Sequence, residues 1–147
     1  MFSGELVNIR PAVSTDNHDI ERLAYVLTPA AESKRQSADG LSLLLNSNDH
    51  RIWVADSGEA VVGWLHAYLA VRVGVAPFIE IAGLIVDERY RSEGIGSKLV
   101  AEAIFWAKSI DVAVRVRSNS KRDVTHKFYQ AQGFKLLKQQ HVFELNL

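Results

Sequence analysis

The residues best suited to chemistry lie in the loop RSEGIGSKL (91–99), between an apolar run and a helical pattern. Arg91, Gly94 and Gly96 form the pattern R-x-x-G-x-G. The first backbone N–H groups of a helix have no partner within the helix, and the helix dipole is positive there. Glycines allow close backbone approach and positive φ, and an arginine fork suits phosphate. The spacing predicts an anion site, and a tight turn that binds nothing is the alternative.

Two common phosphate-binding patterns do not fit this loop. The dinucleotide pattern G-x-G-x-x-G needs a third glycine, but position 99 is leucine. The P-loop pattern needs a lysine directly after its second glycine, and Lys98 does not follow Gly96 directly.

A second segment adds a more specific motif. The stretch SNSKRDVTHKFYQAQGF (118–134) contains F-Y-x-x-x-G-F. Together with LIVDERYRSEGIGSKLV (84–100), it resembles the GNAT superfamily of acyl-CoA-dependent N-acyltransferases. The order of predicted elements is similar to the fold of that superfamily over nearly the whole chain. The resemblance implies an N-acetyltransferase that moves an acetyl group from acetyl-CoA to a primary amine. Because the chain has no cysteine, direct attack in a ternary complex is the simpler route.

The resemblance also implies where the cofactor lies. It implies a splayed sheet, with the thioester held between the strands at 77–86 and 112–118. The pantetheine arm would lie along the backbone of Leu84, Ile85 and Val86, and Phe128 is also assigned to the cofactor. The pyrophosphate would be wrapped by the residues of the loop, which are Arg91, Ser92, Glu93, Gly94, Ile95, Gly96 and Ser97.

The chain departs from the family pattern at one position. Many members carry asparagine seven residues before the tyrosine, where this chain has Arg122. Asn119 lies three residues earlier and could be a helix N-cap instead. Arg122, His126 and Tyr129 recur at helical spacing, so this stripe could line the cofactor channel or face solvent. The other face, with Val124, Phe128 and Ala131, is assigned to the core.

Attack of an amine on a thioester requires a neutral amine, a stabilised carbonyl oxygen and a proton for the leaving thiolate. The chain has no cysteine, which excludes a cysteinyl acyl-enzyme. Tyr129 is the candidate acid, because a phenol is mostly protonated at neutral pH and the resemblance implies a place beside the sulfur. Packing beside Phe128 is the alternative for this side chain.

Glu80 is the candidate base, acting directly or through a water. It is the only ionisable residue between Pro77 and Val86, and a carboxylate in an apolar strand is costly unless it is paired or used. Simple strand alternation places it on one face with Ala82, Leu84 and Val86. The alternatives for Glu80 are an ion pair with Arg72 and simple exposure. The alternative for the base is water alone.

The elements that must position these residues give the order βααβββαβαββ. We predict an α/β fold (α+β in some schemes) of the GNAT type, with a mixed central sheet of about seven strands and about four helices. Trp64, His66 and Tyr68 alternate onto one strand face, where they could line an acceptor pocket; core packing beneath a helix is the interpretation we favour. The predicted strands are 6–10, 51–56, 60–73, 77–86, 112–118, 134–138 and 141–147.

Composition limits the remaining possibilities. The 147 residues suit one domain (1–147), and the formal net charge is zero, so no attraction of the whole chain to nucleic acid or membrane is predicted. No signal peptide or bilayer-spanning run is visible, so a soluble, cytoplasmic protein is expected. The five histidines show no metal-ligand spacing, and no metal is predicted. The family resemblance is compatible with a homodimer formed through the C-terminal strands.

The acceptor is the part that the sequence defines least. The resemblance implies that the first two helices and their connection, here about 27–46, build most of the acceptor pocket. The polar segment 28–40 is mixed in charge. We expect a small-molecule amine, and a protein amine is the alternative.

Overall fold

The computed structural model describes residues 7–25, 38–118 and 122–147. The chain divides into two compact units, Met1–Val116 and Arg117–Leu147, and each is described by itself. The expectation of a single domain stays a prediction.

A five-stranded mixed sheet is the framework of the first unit. The strands are β1 (Asn8–Pro11), β2 (His50–Asp56), β3 (Val61–Arg72), β4 (Val75–Val86) and β5 (Ala113–Val116). They follow the chain order across the sheet, and all neighbours are antiparallel except β4 and β5, which are parallel. Strand β4 lies between two neighbours and is buried over residues 78–81, and an interior position of this kind is what a run that is apolar on both faces predicts.

Three helices cover the two faces of this sheet. They are α1 (Asn17–Ala24), α2 (Ala38–Leu45) and α3 (Ile95–Ser109), and short 3-10 turns occupy Ser14–Asp16 and Glu88–Tyr90. One face packs against α3, whose repeat of buried apolar side chains includes Leu99, Val100 and Ala103. The other face forms a cluster with α1 and α2 that contains Ala12, Leu23, Leu41, Ile52, Val54, Val61 and Ile85.

The second unit contains α4 (Asp123–Ala131), which ends in a turn where Gly133 has a φ of 99°. The predicted core face of α4 is wrong in part, because Val124 is 82% exposed and Ala131 is also exposed. The buried residue of this helix is Tyr129, because its ring packs on Phe128 and Phe134 instead.

The two strands predicted at 134–138 and 141–147 are wrong, because residues 134–147 form no strand. Their alternating pattern suits a strand, but a strand exists only where a neighbour supplies a hydrogen-bonding partner. Leu136, Val142, Phe143 and Leu145 are exposed in this segment. The described residues therefore contain five strands rather than about seven.

Other element boundaries differ slightly from the predictions. Helix α2 begins at Ala38, within the polar segment 28–40. Most of that segment and the N-cap candidate Asn119 lie outside the described residues. Within the described ranges, no helix has both the length and the apolar character that a membrane crossing requires.

A buried ion pair fixes the start of α1. Asp16, 6% exposed, accepts two hydrogen bonds from the Arg10 guanidinium at 2.8 and 2.9 Å and one from the backbone N–H of Val13 at 2.8 Å. The Arg10 hydrogen bonds hold the pKa of Asp16 below its usual range. The carboxylate therefore stabilises the fold above the pKa of an unfolded aspartate, and this contribution is lost as the pH falls through the lower folded pKa.

We expect Asp16→Ala to lower the free energy of unfolding by about 2–3 kcal/mol at pH 7, because it removes two charge-assisted hydrogen bonds of the partly buried Arg10 guanidinium, which keeps the bond to Asp56 at 3.1 Å. Urea denaturation at pH 7 and again near pH 3 measures the effect. The difference between wild type and variant should shrink at the lower pH, and a constant difference would contradict the assignment to the ionised carboxylate.

Candidate active site

The sheet opens between β4 and β5. The two strands pair over four residues each, Phe78–Ile81 with Ala113–Val116. The ladder between β3 and β4 pairs Ala67 with Ile81 and then His66 with Gly83, so Ala82 is an extra residue, a β-bulge. Beyond it, the last residues of β4 pair with β3 alone. Alternate backbone groups of this stretch point away from β3, which suits hydrogen bonding to an extended ligand arm.

The glycine loop follows directly after this stretch. Gly94 is the N-cap of α3 with a φ of 84°, and the N–H of Lys98 makes the first helical bond to its carbonyl at 3.1 Å. Because glycine has no side chain, Gly94 cannot cap the backbone N–H groups in the first turn of α3. A helix start of this kind suits an anion. Ile95, 1% exposed, anchors the helix start in the core.

Arg91 ties the loop to the open end of β4. Its Nε donates to the carbonyl of Val86 at 3.0 Å, while the side chain remains exposed. Ser92 has a φ of 66°, a conformation that non-glycine residues rarely adopt. Such strain persists where the surrounding structure requires it, often at ligand-binding loops. The hydrogen bond from Arg91 to Val86 thus joins the predicted pyrophosphate loop (91–97) to the predicted pantetheine stretch (84–86).

The chain also matches a known protein family over most of its length. The model of the acetyltransferase (GNAT) family matches residues 16–134, which is most of the chain. The chain belongs to the GNAT acetyltransferase family. The GNAT assignment made from the two sequence motifs is confirmed, and so is the fold class.

Solved structures share the GNAT fold at low sequence identity. An aminoglycoside N-acetyltransferase, AAC(6')-Iy, in complex with CoA is 18% identical over 96% of this chain and 95% of its own, with a TM-score of 0.83. AAC(6')-Ih from Acinetobacter baumannii is 22% identical over 96% and 99%, with a TM-score of 0.81. A transcriptional regulator from Bacillus halodurans is 22% identical over 95% and 99%, also with a TM-score of 0.81. Comparison with curated proteins finds no match.

Glu80 lies at the apex of the opening and is 7% exposed. It pairs with Tyr68 on β3 and Arg115 on β5, one residue before the last β4–β5 pair. The predicted face is wrong, because the bulge at Ala82 shifts the alternation. Glu80 therefore shares its face with Gly83 and Ile85 rather than with Ala82, Leu84 and Val86.

Two arginines lie against the ring of Phe78, which is two residues before Glu80 on β4. They are Arg115, the β5 partner of Glu80, and Arg72 of β3. The guanidinium carbons of Arg115 and Arg72 lie 4.1 and 5.4 Å from the ring centroid of Phe78. Such stacking contributes about 0.5–2 kcal/mol for each pair. Simple exposure of Glu80 was one alternative to its role as the base, and the burial of this side chain rules that alternative out.

Tyr129, in the second unit, is 8% exposed. Its ring makes edge contacts with Phe128 and Phe134, at centroid distances of 5.0 and 5.4 Å. Burial raises the pKa of Tyr129 to about 12, so the phenol stays protonated across the working range of an enzyme. Arg122 is the exposed N-cap residue of α4 and His126 is half-buried.

The β3 stripe of Trp64, His66 and Tyr68 divides into two parts. Trp64 packs against the core cluster beneath α1 and α2, as favoured for the whole stripe. His66 instead bonds to His50, with its Nε2 2.8 Å from the His50 Nδ1. No sequence pattern indicates a role for His50, because its contact with His66 depends on the register between β2 and β3. No three His, Asp or Glu side chains of the described ranges are grouped as metal ligands.

The Trp64 ring leaves no room for a side chain at residue 83, which is glycine. An added Cβ would lie 2.9 Å from Cζ3 and 3.0 Å from Cη2 of Trp64, closer than real contacts allow. Since the indole is packed on the core, we expect Gly83→Ala to lower the free energy of unfolding by about 1–3 kcal/mol. Gly40→Ala is the matched control, because a Cβ there meets nothing within 4 Å inside a helix. Thermal or urea unfolding should show Gly40→Ala neutral or stabilised, and equal losses in both variants would contradict the Trp64 contact.

Proposed function

We propose that this chain transfers the acetyl group of acetyl-CoA to the primary amine of a small molecule. The observation that carries the proposal has two parts. The pairing of β4 with β5 ends at Ile81 and Val116, and the chain that follows β4 reaches Gly94, which has a left-handed backbone at the start of α3. An extended arm fits the first feature and a pyrophosphate fits the second. Membership of the GNAT family supports the same donor.

The residues proposed to hold the cofactor are those named from the sequence. Leu84, Ile85 and Val86 offer backbone groups to the pantetheine arm, and Phe128 is proposed to contact it. Acetyl-CoA supplies the thioester that is the acyl donor. The pyrophosphate is assigned to the loop residues Arg91, Ser92, Glu93, Gly94, Ile95, Gly96 and Ser97.

Two side chains are proposed to move protons. Glu80 takes the proton of the attacking amine through a water, which its place at the apex of the opening supports. Tyr129 donates a proton to the departing sulfur, which its protonated state supports. The absence of cysteine favours direct attack without an acyl-enzyme. Because acid–base groups of this kind each contribute about 10²–10⁴-fold to rate, both roles are measurable.

A small-molecule amine is the proposed acceptor, and a protein amine is the alternative. Several fold neighbours are described as aminoglycoside acetyltransferases, one of them in complex with sisomicin. At 24% identity or less, that likeness supports a small amine without selecting which one. We also propose a cytoplasmic location and a homodimer.

A catalytically silent acyl-CoA-binding regulatory module is the second candidate. One structure with the same fold is described as a transcriptional regulator. Such a module would bind acetyl-CoA and release no free CoA with any amine.

Isothermal titration with acetyl-CoA, followed by a thiol-release assay over a panel of amines, tests the proposal. We expect binding in the micromolar range, about −8 kcal/mol, and turnover with at least one small amine. Binding without turnover would favour the regulatory module. The lack of binding at millimolar acetyl-CoA would overturn the proposal and its assignment of the loop.

A further inference from the structure

Polar residues are concentrated at one end of the sheet face that α1 and α2 cover. The register pairs His50 with Tyr68 and Tyr68 with Glu80, and Glu80 pairs in turn with Arg115. Paired residues share a face, so these four side chains form a row across four strands. His66 lies on the same face, two residues before Tyr68. The adjoining part of the face is apolar and packs with Ile20, Leu23, Leu41, Leu44 and Leu45 of the two helices.

Two histidines of this face are hydrogen-bonded to each other. The Nδ1 of His50 lies 2.8 Å from the Nε2 of His66, and the two ring centroids lie 5.1 Å apart with their planes inclined by 29°. In such a bond one nitrogen donates and the other accepts, so the pair shares one proton and has an outer nitrogen at each end. Burial and the neighbouring His50 lower the pKa of His66 to about 4, so His66 is neutral near neutral pH.

The histidine pair lies between the opening of the sheet and the start of β2. Glu80 lies at the opening, and His66 is its diagonal neighbour across β3 and β4. Diagonal neighbours across an antiparallel pair lie about 7–8 Å apart, which is within reach of long and aromatic side chains. Tyr68 lies directly opposite Glu80, and its ring stacks on His50 at 5.1 Å. His50 is the first residue of β2 and is only half-buried.

We propose that His66 and His50 form a relay that carries the proton of the attacking amine from Glu80 to solvent. This inference rests on the proposed acetyl transfer. When the new C–N bond forms, the amine proton passes through water to the Glu80 carboxylate, and then to Nδ1 of His66. The Nε2 proton of His66 moves to Nδ1 of His50, and His50 releases its Nε2 proton to water. Exchange with water then restores the starting tautomers, and no other reactant is needed.

Both histidines act through Glu80 and are positioning residues. The relay requires that His66 carry its proton on Nε2 in the resting protein. It predicts that His66→Gln and His50→Gln each lower kcat about tenfold or more. The Kd for acetyl-CoA should change less than about twofold, because neither residue belongs to the cofactor loop.

The test measures kcat against pH and against imidazole concentration, together with acetyl-CoA titration. His18→Gln is the matched control, since His18 is exposed on α1, and it should retain wild-type kcat. Added imidazole should restore part of the activity of His66→Gln, which a merely structural defect would not allow.

The outcomes separate the relay from the proposed function. If His66→Gln keeps the wild-type kcat and pH profile while wild type is active, the relay is overturned and acetyl transfer stands. If wild type binds acetyl-CoA but turns over no amine, both are overturned. If His66→Gln does not fold, ¹⁵N NMR of wild-type histidines decides: an Nε2 proton on His66 supports the relay, and an Nδ1 proton overturns it.

Discussion

Tyr129→Phe is expected to lower kcat about 100-fold and to leave the Kd for acetyl-CoA near the wild-type value. The substitution removes only the hydroxyl that is proposed to protonate the departing sulfur. Phenylalanine keeps the ring contacts with Phe128 and Phe134, so the variant should fold. Steady-state kinetics with the best amine and calorimetric titration with acetyl-CoA measure the two constants. Unchanged kcat would remove Tyr129 from the mechanism.

The pH dependence gives an independent check on the same residue. Burial raises the pKa of Tyr129 to about 12, so the phenol holds its proton below that pH. Wild-type kcat should therefore show no loss between about pH 8 and 10, where an ordinary tyrosine begins to ionise. Tyr25→Phe is the matched control, because Tyr25 is 57% exposed at the end of α1, and its kcat should equal that of wild type.

Gly94→Val is expected to weaken acetyl-CoA binding at least about tenfold. Gly94 has a φ of 84°, a conformation that a β-branched residue adopts only with strain. A Cβ at this position meets nothing within 4 Å, so the effect comes from the backbone and not from a clash. The loop would relax to another conformation, and binding would have to restore the strained one. Calorimetric titration measures the Kd.

The chain offers a control with the same strain at a different place. Gly74, in the β3–β4 turn, has a φ of 79° and also meets nothing within 4 Å. Gly74→Val should cost a similar free energy of unfolding and leave the Kd for acetyl-CoA unchanged. If both variants bind acetyl-CoA as wild type does, the glycine loop is only a turn.

Sequence reasoning was most reliable where local chemistry decides the structure. The pattern of Arg91, Gly94 and Gly96 predicted a loop at a helix start, and the structure has Gly94 at the N-cap of α3. The apolar run over 77–86 predicted a central strand, and β4 lies between β3 and β5. Both features depend on residues that are adjacent in sequence.

Sequence reasoning failed where pairing between distant segments decides the structure. The segment 134–147 has strand-like alternation but forms no strand. Simple alternation also placed Glu80 on the wrong face, because a bulge has no reliable sequence signal at Ala82. Val124 was assigned to the core of α4 and is exposed, because helical spacing defines a face but not what covers it.

The sequence by itself determined the family, the fold class and the glycine loop at the start of α3, because these follow from short motifs and from the spacing of apolar residues. Only the tertiary structure decided where the sheet opens, which face carries Glu80 and that His50 meets His66. The physical reason is that strand register is set by pairing across the sheet. A shift of one residue moves a side chain to the opposite face, so residues far apart in sequence become neighbours only when the sheet is assembled.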